Sequence, residues 1–272
     1  MKITYLGTSA AEGMPAVFCN CEYCREARRL GGRNIRTRSQ TLINDDMLID
    51  LPADTYMHFL QNGIEADRIE HLLLTHSHPD HLYPTELENR HGFYAHDMRV
   101  PELKVYCGKG AYEKIAYLND EDKHVRIEQI APFDTVQVGR YAVTALPARH
   151  FAGDGALNYI IEDDRALLYA HDTGYFLPET FAFLQKKGFR FDLVSLGCTN
   201  VDIPISDEGS HMGLDQIQRV LERLSAMGAV DEKTIRVINH FSHNANPLYH
   251  VLEKRVEGLG YRVSYDGMTV EF

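Results

Sequence analysis

Nowhere in the 272 residues does an apolar run approach the ~18 positions that a membrane-spanning helix needs. The amino terminus, Met1-Lys2-Ile3-Thr4-Tyr5-Leu6-Gly7, reads as an opening strand and not as a charged segment followed by an apolar one, so neither a secretory signal nor a membrane anchor is expected and the expected location is the cytoplasm. Basic residues are also in short supply, with 28 Lys and Arg against 39 Asp and Glu and a formal net charge of −11. Nucleic-acid binding gains affinity when Lys and Arg release counterions, so this balance argues against a general DNA or RNA surface and leaves room only for a local basic patch. No linker of Pro, Gly or Ser divides the chain, and 44% hydrophobic content suffices for one large core, so residues 1–272 are read as a single domain. Cysteine is sparse but clustered. Cys19, Cys21 and Cys24 stand together while Cys107 and Cys198 lie apart, a pattern that reads as metal binding before disulfide formation.

Short β runs are expected at Lys2 to Leu6, Thr41 to Asp50, Glu70 to Thr75, Lys104 to Tyr106, Val125 to Ile130, Thr135 to Leu146, Ala156 to Glu162, Ala166 to Tyr169, Leu193 to Leu196, Ile235 to Asn239 and Tyr261 to Phe272. Asn44-Asp45-Asp46, Val138-Gly139-Arg140 and Tyr265-Asp266-Gly267-Met268 carry the signals of hairpin tips. Helical periodicity appears at Ala53 to Asn62, Lys109 to Leu118, Pro178 to Lys187, Leu214 to Met227 and Pro247 to Leu259. In the helix from Leu214, Ile217, Val220, Leu221 and Leu224 form one stripe, Asp215 lies in the first turn and Gly228 ends it. Hairpins followed by strands mixed with helices, twice over, predict an α/β fold of two sheets face to face with helices outside, the four-layer αββα sandwich.

The densest chemistry is His76-Ser77-His78-Pro79-Asp80-His81, directly after the apolar run Leu72-Leu73-Leu74. So many imidazoles are of no use to a hydrophobic core, because each buried ring left unpaired costs ~1–3 kcal/mol. A strand that delivers a donor-rich loop is instead how a metal site is built. His76 and His78 can face one ion, and Asp80 and His81 a second. Further donors are expected at strand ends, where His150, Asp172 and His240 stand. A lone histidine is more often a satisfied surface or core residue, and that reading is kept for His58, His71, His91, His96, His124 and His250; His171, beside Asp172, stays ambiguous. Two divalent ions, two aspartates and a hydroxide would leave about one positive charge, the complement of a phosphodiester monoanion. Ester, thioester and lactam hydrolysis remain open on this argument.

The HSHPDH stretch resembles the HxHxDH signature of the metallo-β-lactamase superfamily, and His150, Asp172 and His240 follow in that superfamily's order. The resemblance implies His76, His78 and His150 on one ion, Asp80, His81 and His240 on the other, and Asp172 between them. The C-x-C-x₂-C cluster of Cys19, Cys21 and Cys24 lacks a fourth tetrahedral ligand, and His243, three residues past His240, is the candidate for a structural Zn²⁺. With Asp266-Gly267-Met268 near the carboxyl end, this arrangement resembles the phosphoribosyl 1,2-cyclic phosphate phosphodiesterases, the PhnP type. A related cluster occurs in a protein of pyrroloquinoline quinone biosynthesis.

His211, just before the Leu214 helix, resembles the histidine that phosphodiesterases of the superfamily place beside the scissile phosphate, as charge stabiliser or general acid. Arg25, Arg28, Arg29, Arg33, Arg36 and Arg38 read as a solvated helix face and loop rather than an RNA contact. The segment 83–101 matches no part of that pattern and is expected to line or cover the pocket, with Phe151 to Asp154 as a second pocket loop. The expectation is a phosphodiesterase with two active-site cations (Zn²⁺, Mn²⁺ or Fe²⁺), acting on a small cyclic or linear phosphodiester, with Asp80 and His211 in catalytic roles. No membrane or nucleic-acid partner is expected, and a homodimer is admitted. The alternatives are a tRNA 3′-processing endonuclease and a non-hydrolytic accessory protein of cofactor biosynthesis.

Overall fold

The computed structural model describes residues 1–272. A first sheet is built from β1 (Lys2–Gly7), β2 (Gln40–Ile43), β3 (Met47–Ile49), β4 (His71–Leu74), β5 (Leu103–Cys107) and β6 (Val125–Gln129). The second uses β7 (Thr135–Val138), β8 (Tyr141–Pro147), β9 (Leu157–Glu162), β10 (Ala166–Ala170), β11 (Leu193–Gly197), β12 (Ile235–Asn239) and β13 (Tyr261–Val263), while β14 (Met268–Glu271) returns to the first sheet beside β1. Each sheet is antiparallel on one side and parallel on the other.

Successive strand side chains face opposite sides, so a strand covered on both faces must be apolar throughout. β4 obeys this: Leu73 enters the core between the sheets with Ile3, Tyr159 and Leu167, whereas Leu72 and Leu74 pack outward with Val105, Ala111 and Ile115. The outer layer on that side comes from α2 (Thr55–Asn62), α3 (Thr85–Glu88) and α4 (Lys109–Ile115). On the other side α5 (Pro178–Lys187), α6 (Leu214–Ala226) and α7 (Tyr249–Arg255) cover the second sheet. The expected stripe on α6 is all buried there, each such side chain contributing ~1.5–3 kcal/mol. The αββα sandwich is therefore the observed architecture, and no helix is long and apolar enough to cross a membrane.

Three sequence expectations need correction. β13 and β14 are not a hairpin, because they lie in different sheets. The turn between them is drawn across by half-buried Asp266, whose carboxylate accepts hydrogen bonds from Thr8 Oγ1, Thr37 N and Thr37 Oγ1 at 2.6 Å each. α7 ends well short of Leu259, where Gly258 and Gly260 take positive φ of 78° and 74°. Arg36 does not belong to a solvated face: it is fully buried, donates to Thr8 Oγ1 (2.8 Å) and Ser264 O (2.7 Å), and lies over the Phe241 ring. Arg25, Arg28, Arg29 and Arg33 meet the expectation, exposed on the additional helix α1 (Glu22–Leu30) and the loop after it, whereas Arg38 is half-buried and donates to Ala11 O (2.8 Å) and Asp54 Oδ2 (3.1 Å).

Candidate metal centre

Four strand ends converge on one place. β4 runs into the loop 75–81, β8 into His150, β10 into Asp172 and β12 into His240. Asp50, at the end of β3, holds the first loop in shape. Its buried carboxylate accepts from Thr75 N (2.8 Å), Thr75 Oγ1 (2.9 Å) and His81 Nδ1 (2.7 Å), and its own backbone sits at φ 65°. A non-glycine residue in that left-handed region costs about 1–3 kcal/mol, which the surrounding contacts sustain here. Because the Thr75 hydroxyl donates to Asp50, it must accept from His76 Nδ1 (3.0 Å). His150 Nδ1 likewise donates to Ser210 O (3.3 Å), and His240 Nδ1 meets Thr199 Oγ1 (3.0 Å). With Nδ1 engaged, each ring presents Nε2 to the centre, which is how outer partners orient metal-ligating histidines.

Asp172 stands in the middle. Its Oδ2 lies 3.5 Å from His76 Nε2, 2.9 Å from His81 Nε2, 3.8 Å from His150 Nε2 and 3.5 Å from His240 Nε2. His78 Nδ1 is 2.9 Å from His76 Nε2 and 3.1 Å from His150 Nε2, and Asp80 Oδ2 is 3.2 Å from His81 Nε2. Two sets of donors result, His76 with His78 and His150, and Asp80 with His81, Asp172 and His240, the atoms of each within 4.8 Å of one another. His211 joins as well: its Nδ1 is 2.8 Å from Asp172 Oδ1, and its donor atom lies within 4.8 Å of that of His150. That proximity extends the sequence reading, which gave His211 no place among the donors.

The donors fit cations. His81 Nε2, His240 Nε2, Asp172 Oδ1 and His211 Nδ1 are buried and none is in hydrogen-bond geometry, even though His211 Nδ1 and His81 Nε2 come within 2.8 and 2.9 Å of the Asp172 oxygens, an arrangement that suits atoms converging on a cation. Burial holds His76 well below, and His150 and His240 below, the ordinary imidazole value, keeping them in the neutral form that ligates metal. Burial would raise the Asp172 carboxyl, but His240, His211 and His81 outweigh it and keep Asp172 well below the carboxylate range. Burial also opposes charge on His81, yet Asp50, Asp80 and Asp172 hold its proton firmly. A cation at His81 Nε2 would take the place of that proton, and the three carboxylates around the ring supply negative charge for it to balance.

A cleft of about 310 Å³ opens over the centre, walled by Ala10, Ala11, Glu12, Asn200, Ile203 and Asn244 besides the donors. Segment 83–101 takes no part in it, contrary to expectation. Leu87 of α3 packs into the outer core, Arg90 donates to Val100 O and His124 O, and Arg99 pairs with Asp67 and Glu65, so the segment folds over α2 and lines a separate groove. The Phe151 to Asp154 loop braces the centre instead of lining it: Phe151 lies against His78, and buried Asp154 accepts from Ser77 N (3.1 Å) and the Ser77 hydroxyl. His171 turns away into the core between the sheets, toward Ser195 Oγ (2.7 Å) and Asn239 (3.1 Å). Sequence reading missed Asp50, Thr199 and Glu12, single polar residues with no motif around them.

The thiols assemble too. Cys19, Cys21, Cys24 and His243 bring their donor atoms within 4.8 Å of one another, and none of the cysteines is in a disulfide. Backbone N–H groups of Ala16, Cys21 and Cys24 point at Cys24, Cys19 and Cys21 sulfur at 3.3, 3.4 and 3.5 Å. Glu12 Oε1 accepts from His243 Nδ1 (2.9 Å), so Nε2 of that ring is free to meet the sulfurs.

A family model described as the β-lactamase superfamily domain matches residues 48–231. Among solved structures, the Zn²⁺-bound PqqB from Methylobacterium extorquens is similar at TM-score 0.74 and 19% identity, covering 100% of both chains. A diphosphatase from the PhnP family gives TM-score 0.74 and 17% identity over 100% of this chain and 97% of that one. The short form of human tRNase Z gives 0.68 and 15% over 100% and 99%. No curated protein matches in sequence. With most of the chain inside the family match and the αββα sandwich matching end to end, the protein belongs to the β-lactamase superfamily and has the metallo-β-lactamase fold, resembling the PhnP family.

Proposed function

We propose that the protein is a dinuclear metal-dependent phosphodiesterase acting on a small cyclic or linear phosphodiester. The observation that carries this reading is Asp172, a member of the second donor set whose Oδ2 also reaches to 3.5 Å from His76 Nε2 and 3.8 Å from His150 Nε2 of the first, with His211 against its other oxygen. His76, His78 and His150 would hold one divalent cation, and Asp80, His81 and His240 a second, with Asp172 common to both. Bound there, the pair would supply a hydroxide nucleophile near neutral pH and polarise a phosphoryl oxygen. Cys19, Cys21, Cys24 and His243 would hold a structural Zn²⁺.

The chain's own residues do the remaining work. His211 borders the cleft with Nδ1 against Asp172, so Nε2 can give a proton to the departing alkoxide. Burial disfavours a charged His211, but Asp172 outweighs it and raises the imidazole above its usual value, as a proton donor requires. The loop that carries His211 is held close: a Cβ at Gly174 would meet Gly209 O at 1.8 Å, so the segments after Asp172 and before His211 touch only because residue 174 has no side chain. An RNA endonuclease has less support, since no lysine or arginine lines the cleft and the chain is acidic.

Turnover by metal-reconstituted protein should be measured side by side on bis-p-nitrophenyl phosphate, ribose 1,2-cyclic phosphate and 2′,3′-cyclic nucleotides. Hydrolysis of at least one of them is expected. Metal uptake without turnover of any phosphodiester, thioester or lactam would replace the proposal with a binding-only accessory role.

A further inference from the structure

The cleft contains one charged group that neither donor set uses, the carboxylate of Glu12. It arrives on the loop between β1 and α1 and forms part of the wall of the cleft that His78, His150 and His211 also line. One oxygen is fully engaged: Oε1 accepts from Ser242 Oγ (2.6 Å), His243 N (3.1 Å) and His243 Nδ1 (2.9 Å). Oε2 makes no hydrogen bond within the protein, and the side chain keeps 29% of its surface exposed. The group is thus a fixed negative charge with one vacant acceptor, and a solvated surface glutamate would show neither the triple anchor nor the place in the wall.

What surrounds it decides its effect. No lysine or arginine lines the cleft, and the only other side chains there able to donate hydrogen bonds outside the donor sets are small and neutral, including Asn200, Ser242 and Asn244. The phosphodiester monoanion is served by the two cation sites of the proposed function, on which this inference rests. A second phosphate on the same molecule would find no cation of its own and, in about 310 Å³, would lie near Glu12. A hydroxyl in that place would instead donate to Oε2.

We infer that Glu12 is a specificity-determining residue, which selects monoanionic phosphodiesters whose organic part offers a hydroxyl and rejects those that carry an additional phosphate. The substrate class is then a sugar-like diester without a phosphomonoester, and repulsion from Glu12 also hastens release of a dianionic product. Such selection uses a repulsive element as well as an attractive one.

The test compares a nucleoside 2′,3′-cyclic phosphate with its 5′-phosphorylated counterpart, on metal-reconstituted wild type, Glu12→Gln and Glu12→Ala. Wild type should favour the 5′-hydroxyl compound by about tenfold or more in kcat/KM. Glu12→Gln, which keeps an acceptor for Ser242 and His243 but no charge, should shrink that ratio to about threefold or less, chiefly by lowering KM for the phosphorylated compound. Glu12→Ala should also raise KM for the hydroxyl compound. Melting temperature and zinc content, recorded for each variant, read the structural part of the role. An unchanged ratio in Glu12→Gln overturns the inference and leaves the phosphodiesterase reading standing, as does an equal loss on both compounds together with lost zinc. Absence of wild-type turnover on either compound and on bis-p-nitrophenyl phosphate overturns the phosphodiesterase reading, and the inference falls with it.

Discussion

The histidine-aspartate cleft and the cysteine cluster stand side by side, and they differ in every respect that decides what a metal can do. The cleft gathers nitrogen and oxygen donors from four strand ends of both sheets and opens to solvent over a wall of small polar residues. The cysteine cluster draws three sulfurs from six consecutive residues, adds one imidazole and is shielded by Met14, Ala16 and Leu248. Four ligands close a structural site, whereas a catalytic one keeps positions for water and substrate. Yet both depend on the same few residues after β12. His240, at φ 61°, turns into the cleft, and His243 turns to the sulfurs. Location in the fold is shared, so donor chemistry and access alone divide chemistry from scaffolding.

The sharpest way to break this contrast is Asp172→Ala. Activity on bis-p-nitrophenyl phosphate should fall by about a thousandfold or more, while circular dichroism and melting temperature stay near wild type, because only cleft cations are lost. Wild-type turnover would remove Asp172 from its central role. Cys21→Ser should show the reverse order of effects: a loss of stability of about 4 kcal/mol by denaturant unfolding and one zinc fewer per chain by elemental analysis, before any specific fall in kcat. If kcat fell with zinc content unchanged, the cluster would not be scaffolding. His211→Ala should lower kcat by about a hundredfold on substrates with alkoxide leaving groups. The loss should be smaller with p-nitrophenolate, which departs without a proton, and an equal loss on both would count against a general acid. The smallest effect belongs to Asp154→Asn, which weakens the hold on Ser77 without touching a donor. A drop of about tenfold in kcat at constant metal content is expected, and none at all would mean the HSHPDH loop holds its shape unaided.

Much of the centre could be read in advance because strand ends are legible: an apolar run followed by a donor is a local pattern, and β4, β8, β10 and β12 each show it. The sandwich followed from the same runs, and Ile217 to Leu224 announced α6 by period alone. What stayed hidden depends on partners far along the chain. Asp266 carries a hairpin signal, but Thr8 and Thr37, more than two hundred positions away, pull its turn across to the other sheet. Arg36 looks like its solvated neighbours until Thr8, Ser264 and Phe241 close around it. Segment 83–101 follows the donor loop directly in sequence, yet Arg99 is claimed by Asp67 and Glu65, which tie it over α2. Glu12 is one acid in a small-residue loop, and only the fold gives it a neighbour in His243.

Because Glu12 grips the ring of His243 with one oxygen and borders the cleft with the other face, the two metal-type sites are not interchangeable cassettes. Grafting the thiol cluster onto a different sandwich, or trimming it from this one, would move a wall of the cleft by the same stroke. Anyone redesigning the cleft must treat residues 12 and 240–243 as a single inherited part.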